Sequence, residues 1–262
     1  MRIARYSVES KIHYGVVELD QDGAGNPDTV ADLSGDPLAG QVTLTGVRRA
    51  LTDVRLLAPV LPRSKVIGLV KNLPLPDSSV PPRLAAFLKP NTSVIGQGDA
   101  IEIPSLSQDT ALEGELAIVI GRICRSIPVE RVPEVIFGYT AANDVTARDL
   151  IEPDAPWGMA KCWDNFAPLG PWIITHLSIE EASSLKITGS VDGSMVTTGT
   201  TKSLVHGIAD MVSSLSSMMT LLPGDVILTG APGGAAPIKA GQTAAIEIDE
   251  IGCLTNPVMR QI

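Results

Sequence analysis

Cysteine is scarce in this chain of 262 residues. Cys124, Cys162 and Cys253 are odd in number, widely spaced and form no C-x-x-C, which excludes a disulfide framework and gives no zinc-ligand spacing. They are expected to be buried thiols that pack as small hydrophobes. Basic residues are few as well: Lys and Arg number 20 against 29 Asp and Glu, a formal net charge of −9 with no basic cluster. That balance argues against a sequence-independent grip on nucleic acid. No apolar run approaches the ~20 residues a helix needs to cross a bilayer. The first twenty residues, MRIARYSVESKIHYGVVELD, carry charges through their middle and lack a signal-peptide core and cleavage site. The expectation is a soluble, cytoplasmic protein with neither nucleic acid nor membrane as partner. There is no G-x-S-x-G elbow, so a hydrolase triad has no support. His13, His176 and His206 have no partner at ligand spacing and are expected in core or surface roles.

What is present is apolar bulk: hydrophobic residues make up 44% and the mean hydropathy is +0.22, the profile of a globular chain. The length admits one large domain or a small one ahead of a larger one, and the pattern favours a small β-containing segment at residues 1–62 before a domain at 63–262. Alternation predicts strands over 2–6 and 11–18, a turn-rich run at 20–27 (DQDGAGNP), and closure of the segment by 51–61. A strand opens the second part at Lys65, and the Pro-rich stretch from Pro74 to Pro82 reads as a loop with the character of a lid. Further strands are predicted at 84–88, 100–103, 112–120, 138–143, 226–228, 244–248 and 253–258, with a short helix at 129–136. Asp192-Gly193, between strands at 185–191 and 195–198, predicts a type I′ hairpin. Ser203 predicts the N-cap of a helix whose apolar face uses Leu204, Ile208, Met211, Val212, Leu215 and Met218.

The stretch from Leu112 to Asp149 places carboxylates among residues that favour burial. Glu113 and Glu115 flank one position of a predicted strand, so their side chains share a face. Two like charges that close in a half-buried setting raise at least one pKa unless a cation offsets them. With Asp144 they make an oxygen-only set without His or Cys, which selects hard ions such as Mg²⁺, Mn²⁺ or Ca²⁺. The bland alternative is a solvated sheet face for the glutamates and an Asx turn at Asn143-Asp144. Lys161, in WGMAKCWDNFAPLGPW, would bind a substrate carboxylate or stabilise an enolate if it lies in an apolar cleft, and is otherwise an exposed lysine. The glycine-rich turn TGAPGGAAP at Thr229 to Pro237 offers backbone N–H groups to an anion but matches neither a P-loop nor G-x-G-x-x-G.

Five segments, taken together and in order, carry a family resemblance: FLKP at 87–90, EGELAIVIG at 113–121, GYTAANDVTARD at 138–149, AKCWDNFAPLGP at 160–171 and LPGDVILTGAPGG at 222–234. From about Lys65 onward the chain resembles the fumarylacetoacetate hydrolase family. The resemblance implies an α+β fold built on a large mixed β-sheet or β-roll with few helices, in a homodimer. It implies one Mg²⁺ or Mn²⁺ per chain, held by the carboxylates of Glu113, Glu115 and Asp144, with Lys161 as the active-site lysine and Gly230, Ala231 and Pro232 in the substrate loop. The implied substrates are 2-oxo acids and 1,3-dicarbonyl compounds that react through a metal-stabilised enolate, since a Lewis acid spreads the developing charge.

Departures from the family pattern narrow the expected reaction. A water-activating His, followed three residues later by Glu, falls on Pro74 and Asp77, and proline cannot act as a base. The Asn-Tyr pair before it falls on Val70-Lys71, a frequent Arg falls on Met159, and a Thr that helps hold the substrate carboxylate falls on Ala231. These losses favour decarboxylation or isomerisation over hydrolysis. The alternatives are a C–C bond hydrolase using Asp77 or Lys71 as a substitute base, and an inactive, metal-binding family member.

Overall fold

A computed structural model describes residues 1–20, 26–74, 84–152 and 157–261. The chain is mostly sheet with few helices, an α+β architecture as expected. Ten strands of a fourteen-stranded mixed sheet form its main path. In spatial order they are Leu44–Ala50, Thr29–Leu33, Lys11–Glu18, Arg2–Val8, Ala167–Ile174, Ile136–Asn143, Thr110–Ile120, Val226–Leu228, Val66–Val70 and Ala85–Lys89. Neighbours are antiparallel except Val226–Leu228 and Val66–Val70, which run parallel. A second sheet of five strands runs Ser194–Thr200, Lys186–Val191, Thr243–Ile248, Gly252–Arg260 and Ile101–Ile103.

The strand Thr110–Ile120 organises the centre. Its sequence TALEGELAIVI is buried at every position except half-buried Glu113, because it carries apolar side chains on both faces. Leu116, Ile118 and Ile120 join the larger core cluster, while Ala117 and Val119 join a smaller one on the opposite face. The strand also changes partners along its length. On one edge residues 110–111 pair with Thr146–Ala147 and residues 114–120 with Ile136–Asn143; on the other, residues 111–113 pair with Ala235–Pro237 and residues 117–119 with Val226–Leu228. Glu113 and Glu115 sit at that change.

The Asp192-Gly193 hairpin forms as predicted, with φ of 51° and 77° at its two central residues, as a type I′ turn requires. Other expectations are corrected. Thr29–Leu33 and Leu44–Ala50 are strands that periodicity did not reveal. The second is an exposed edge without the inward alternation that marks a half-buried strand. Residues 51–61 supply only a 3₁₀ turn, Leu51–Asp53, and a two-residue strand, Arg55–Leu56. The segment near 129–136 is a 3₁₀ helix, Val129–Glu134. The long helix starts at Ile208 with Gly207 as its N-cap, not at Ser203. Asn72 accounts for the delay: its carbonyl accepts the Val205 N–H at 3.1 Å and its Oδ1 the His206 N–H at 2.8 Å, so these groups serve a neighbouring segment. Ile208, Met211, Val212 and Leu215 are buried on that helix, whereas Met218 is exposed. Of the cysteines only Cys124 is buried. Cys253 faces outward on a strand whose inward positions are Leu254, Asn256 and Val258, and Cys162 lies at the end of a single helical turn, Gly158–Lys161.

Apart from Pro74, the expected lid lies almost wholly outside the described residues, as does Asp77. No helix among the described residues is long and apolar enough to cross a membrane.

Candidate metal centre

Glu113, Glu115 and Asp144 each bring a carboxylate oxygen to one place, all within 4.8 Å of one another. The ladder explains why. Asn143 pairs with Gly114, the residue between the two glutamates, which places Asp144 at the end of the neighbouring strand beside Glu113. Two bonds lock this corner: the Asn143 Oδ1 accepts from the Glu113 N–H at 2.9 Å, and the Asp144 N–H donates to the Glu113 carbonyl at 2.9 Å. The Asn143 side chain thus bonds across the sheet, in place of an Asx turn.

Two lysines reach different oxygens of the Asp144 carboxylate. Lys161 Nζ donates to Asp144 Oδ2 at 2.5 Å, Thr146 Oγ1 at 2.5 Å and Glu113 Oε2 at 3.0 Å, and lies 5.3 Å from the Phe87 ring centroid. Lys89 Nζ donates to Asp144 Oδ1 at 2.6 Å and to the Val145 carbonyl at 3.1 Å. Burial disfavours the charge on Asp144, but the two ammonium groups outweigh it and hold its carboxyl below the usual range. Burial likewise works against the Lys161 ammonium, yet Asp144 and Glu113 overcome it, so Lys161 stays protonated. At Lys89 burial prevails and lowers the pKa despite Asp144.

Glu115 differs. Its Oε2 accepts one backbone N–H, from Gly230 at 2.6 Å, and no ammonium group pairs with it among the described residues. Burial and the Asp144 charge push its carboxyl well above the usual range. A buried carboxylate without a countercharge is costly. Three converging oxygen donors, one of them lacking a cation, fit a hard divalent ion such as Mg²⁺ or Mn²⁺.

Glu113, Glu115 and Lys161 open on a cavity of about 300 Å³ that Gly230, Ala231 and Trp157 also line. Gly230 adopts φ of +100° and its N–H points at Glu115, so that donor serves a carboxylate of the protein. Pro232 is not on the cavity wall; its backbone instead lies against Gly199. Met159 is exposed. Lys71 lines the cavity, as does Arg148. Arg148 gives one guanidinium N–H to Asp109 at 2.5 Å, and its buried Nε has no partner among the described residues.

Sequence reasoning missed Lys89, Thr146, Arg148 and Asn72. The first three lie inside the FLKP and GYTAANDVTARD segments, so their motifs were a signal, but Lys89 meets Asp144 across 55 residues of chain. Asn72 follows the Val70-Lys71 pair directly. It is buried and its amide donates to the Thr229 carbonyl at 2.9 Å, at the start of the glycine-rich loop.

The model for the fumarylacetoacetate (FAA) hydrolase C-terminal domain matches residues 63–259, three-quarters of the chain. The chain belongs to the fumarylacetoacetate hydrolase family. A second model, Rv2993c-like N-terminal, matches residues 1–59. Among family structures, 5-carboxymethyl-2-hydroxymuconate delta-isomerase from Mycobacterium smegmatis is 42% identical with a TM-score of 0.91, and all of each chain is covered. Maleylpyruvate hydrolase from Sphingobium sp. SYK-6, solved with manganese(II) and pyruvate, is 27% identical with a TM-score of 0.81, again with all of each chain covered. Oxaloacetate tautomerase fahd2 of Xenopus laevis is 34% identical over 79% of this chain and 69% of its own length. The family neighbours are thus isomerases, a tautomerase and hydrolases, and they place the chain among enzymes of this family.

Proposed function

We propose that the protein is a divalent-metal-dependent isomerase or tautomerase that acts on a 2-oxo acid or 1,3-dicarbonyl compound through an enolate. The observation that carries this reading is the undercompensated Glu113, Glu115 and Asp144 cluster opening, beside Lys161, on a cavity with no histidine on its described walls. Three carboxylates face two lysines there, one negative charge in excess. A divalent ion reverses the sign and leaves the site positive for an anionic substrate.

Mg²⁺ or Mn²⁺, held by Glu113, Glu115 and Asp144, would supply Lewis-acid stabilisation of enolate charge. Lys161, kept protonated by Asp144 and Glu113, donates from Nζ to the oxygen that gains charge. It cannot serve as the base in that state. Lys71 on the cavity wall, or Asp77, takes the proton from the carbon next to the carbonyl, and the same group can return it at another position. The Arg148 guanidinium, on the cavity wall and with an Nε that lacks a partner among the described residues, suits a substrate carboxylate. Decarboxylation of a 3-carboxylated 2-oxo acid passes through the same enolate and is the nearest alternative. The assembly is proposed to be a cytoplasmic homodimer.

The test incubates the Mn²⁺ form with oxaloacetate and with acylpyruvates, following keto–enol exchange, CO₂ and released carboxylate. Accelerated exchange without C–C cleavage is expected. Release of the acyl chain as a carboxylate would sink the reading in favour of a hydrolase, as the similarity to maleylpyruvate hydrolase allows.

A further inference from the structure

Lys89 is a fully buried lysine whose described partners are the Asp144 carboxylate, the Val145 carbonyl and the Phe166 ring. Its side chain is 0% exposed, it is absent from the cavity wall, and its Nζ lies 5.9 Å from the centroid of the buried Phe166 ring. Lys161 lines the cavity and divides its donors among Asp144, Thr146 and Glu113. The two ammonium groups therefore grip different oxygens of one carboxylate, Lys161 from the cavity wall and Lys89 from a buried position off that wall.

Resting on the metal-enolate reading, we propose that Lys89 is a positioning residue that fixes the Asp144 carboxylate in its ligand orientation whether or not Lys161 is in contact with it. If Lys161 were the only cation on Asp144, each movement of Lys161 toward a substrate oxygen would strip a buried carboxylate of its partner, a costly state. Lys89 prevents this. Its second acceptor, the Val145 carbonyl, belongs to the residue that follows Asp144, so one ammonium group ties the carboxylate to its own backbone. Rotation of the Asp144 side chain would break that clamp. Each carboxylate oxygen has two acceptor directions, which leaves room for a metal beside each lysine. Lys89 stands at the end of the strand Ala85–Lys89, paired along its length with Val66–Val70, a firm support for such a clamp.

The test compares the full-length wild type with K89M, K89Q, K161M and L215A. Mn²⁺ affinity is read by titration with electron paramagnetic resonance, and Asp144 orientation from metal-free crystal structures. K89M keeps the length of the side chain without its donors and is expected to bind Mn²⁺ about ten- to a hundredfold more weakly, the usual cost of losing an outer-shell partner. K89Q keeps an N–H donor and should fall between K89M and wild type, and it stands in if K89M does not fold. K161M should bind Mn²⁺ with an affinity within about threefold of wild type while losing turnover. L215A weakens the distant helix and should retain wild-type affinity despite a comparable loss of thermal stability. Equal Mn²⁺ losses in L215A and K89M would reduce Lys89 to a fold-holding residue and overturn the assignment. Undiminished Mn²⁺ binding by K89M would overturn it too. If the wild type binds no Mn²⁺, the metal reading fails and the metal-free structures decide: a rotated Asp144 in the Lys89 variants upholds the clamp, an unmoved one overturns it.

Discussion

Glu115 carries the centre's imbalance, and its sign can be read from stability. Its folded pKa is raised, first by burial and then by the Asp144 charge, so its contribution to stability is complete below the ordinary carboxylate range and is lost as pH rises through the folded value. Asp144 is shifted the other way and contributes above the ordinary range. A divalent ion replaces the Glu115 proton and removes its penalty. The rise in Tm on adding Mn²⁺ should therefore be small near the ordinary carboxylate pKa and grow toward neutral pH. Glu115→Gln should make the metal-free protein less sensitive to pH over that window and abolish most of the metal-induced rise. Differential scanning fluorimetry between mildly acidic and neutral pH checks this, and a metal increment independent of pH would contradict it. Lys161 gives a second prediction at this scale. Lys161→Met removes the only described ammonium group that both contacts the ligands and faces the cavity. Turnover should fall about 10²- to 10³-fold, the typical loss for one oxyanion donor, while circular dichroism stays native.

At the scale of elements, the smaller sheet supports the glycine-rich loop of the larger one. A Cβ at Gly199 would lie 2.5 Å from the Pro232 carbonyl carbon and 2.6 Å from the Gly233 nitrogen, so the strand Ser194–Thr200 presses on backbone that cannot yield cheaply. Gly199→Ala should cost about 1–3 kcal/mol as an overpacking change. It should also move the loop that delivers the Gly230 N–H to Glu115, raising KM more than it lowers kcat. A denaturation midpoint and KM both at wild-type values would refute the contact. Legibility in the sequence followed the range of the forces involved. The hairpin was legible because Asp192-Gly193 meets a local φ requirement, and the central strand because Leu116 to Ile120 is a local apolar run. Leu44–Ala50 was not, since an exposed edge is specified by the neighbour it pairs with. The start of the helix at Ile208 was hidden for a related reason: Asn72, 134 residues away, claims the His206 N–H. The carboxylates were legible from spacing and family resemblance, whereas the role of Lys89 depended on a partner 55 residues distant.

At the scale of the whole molecule, two family models meet near residue 60, yet the backbone crosses that boundary within one sheet. Arg2 pairs with Ile174 and Ile3 with Ile173, and the Met1 carbonyl accepts the Thr175 N–H at 3.0 Å. The cores are shared as well: Ala4, Tyr6, Val17 and Val30 lie in one cluster with Leu116 and Ile118, and Ile3 lies in the other with Ala117 and Val119. We propose that the division into residues 1–62 and 63–262 is one of sequence and not of folding. Without the first segment, the Ile173 and Ile174 end of Ala167–Ile174 would lose its Arg2–Val8 partner and become an apolar open edge, a template for aggregation. The full chain should unfold in one cooperative transition. The chain shortened to residues 63–262 should aggregate in light scattering and show no cooperative transition, since removing Tyr6, Val17 and Val30 opens the larger core cluster. A shortened chain that unfolds cooperatively within a few degrees of the full one would show two independent domains, and the shared sheet would then be a docking seam. The metal centre makes the outcome functionally informative. Ala167–Ile174 pairs with Ile136–Asn143, whose end leads directly into Asp144, so loosening its far edge should also weaken Mn²⁺ binding in whatever fraction of the shortened chain folds.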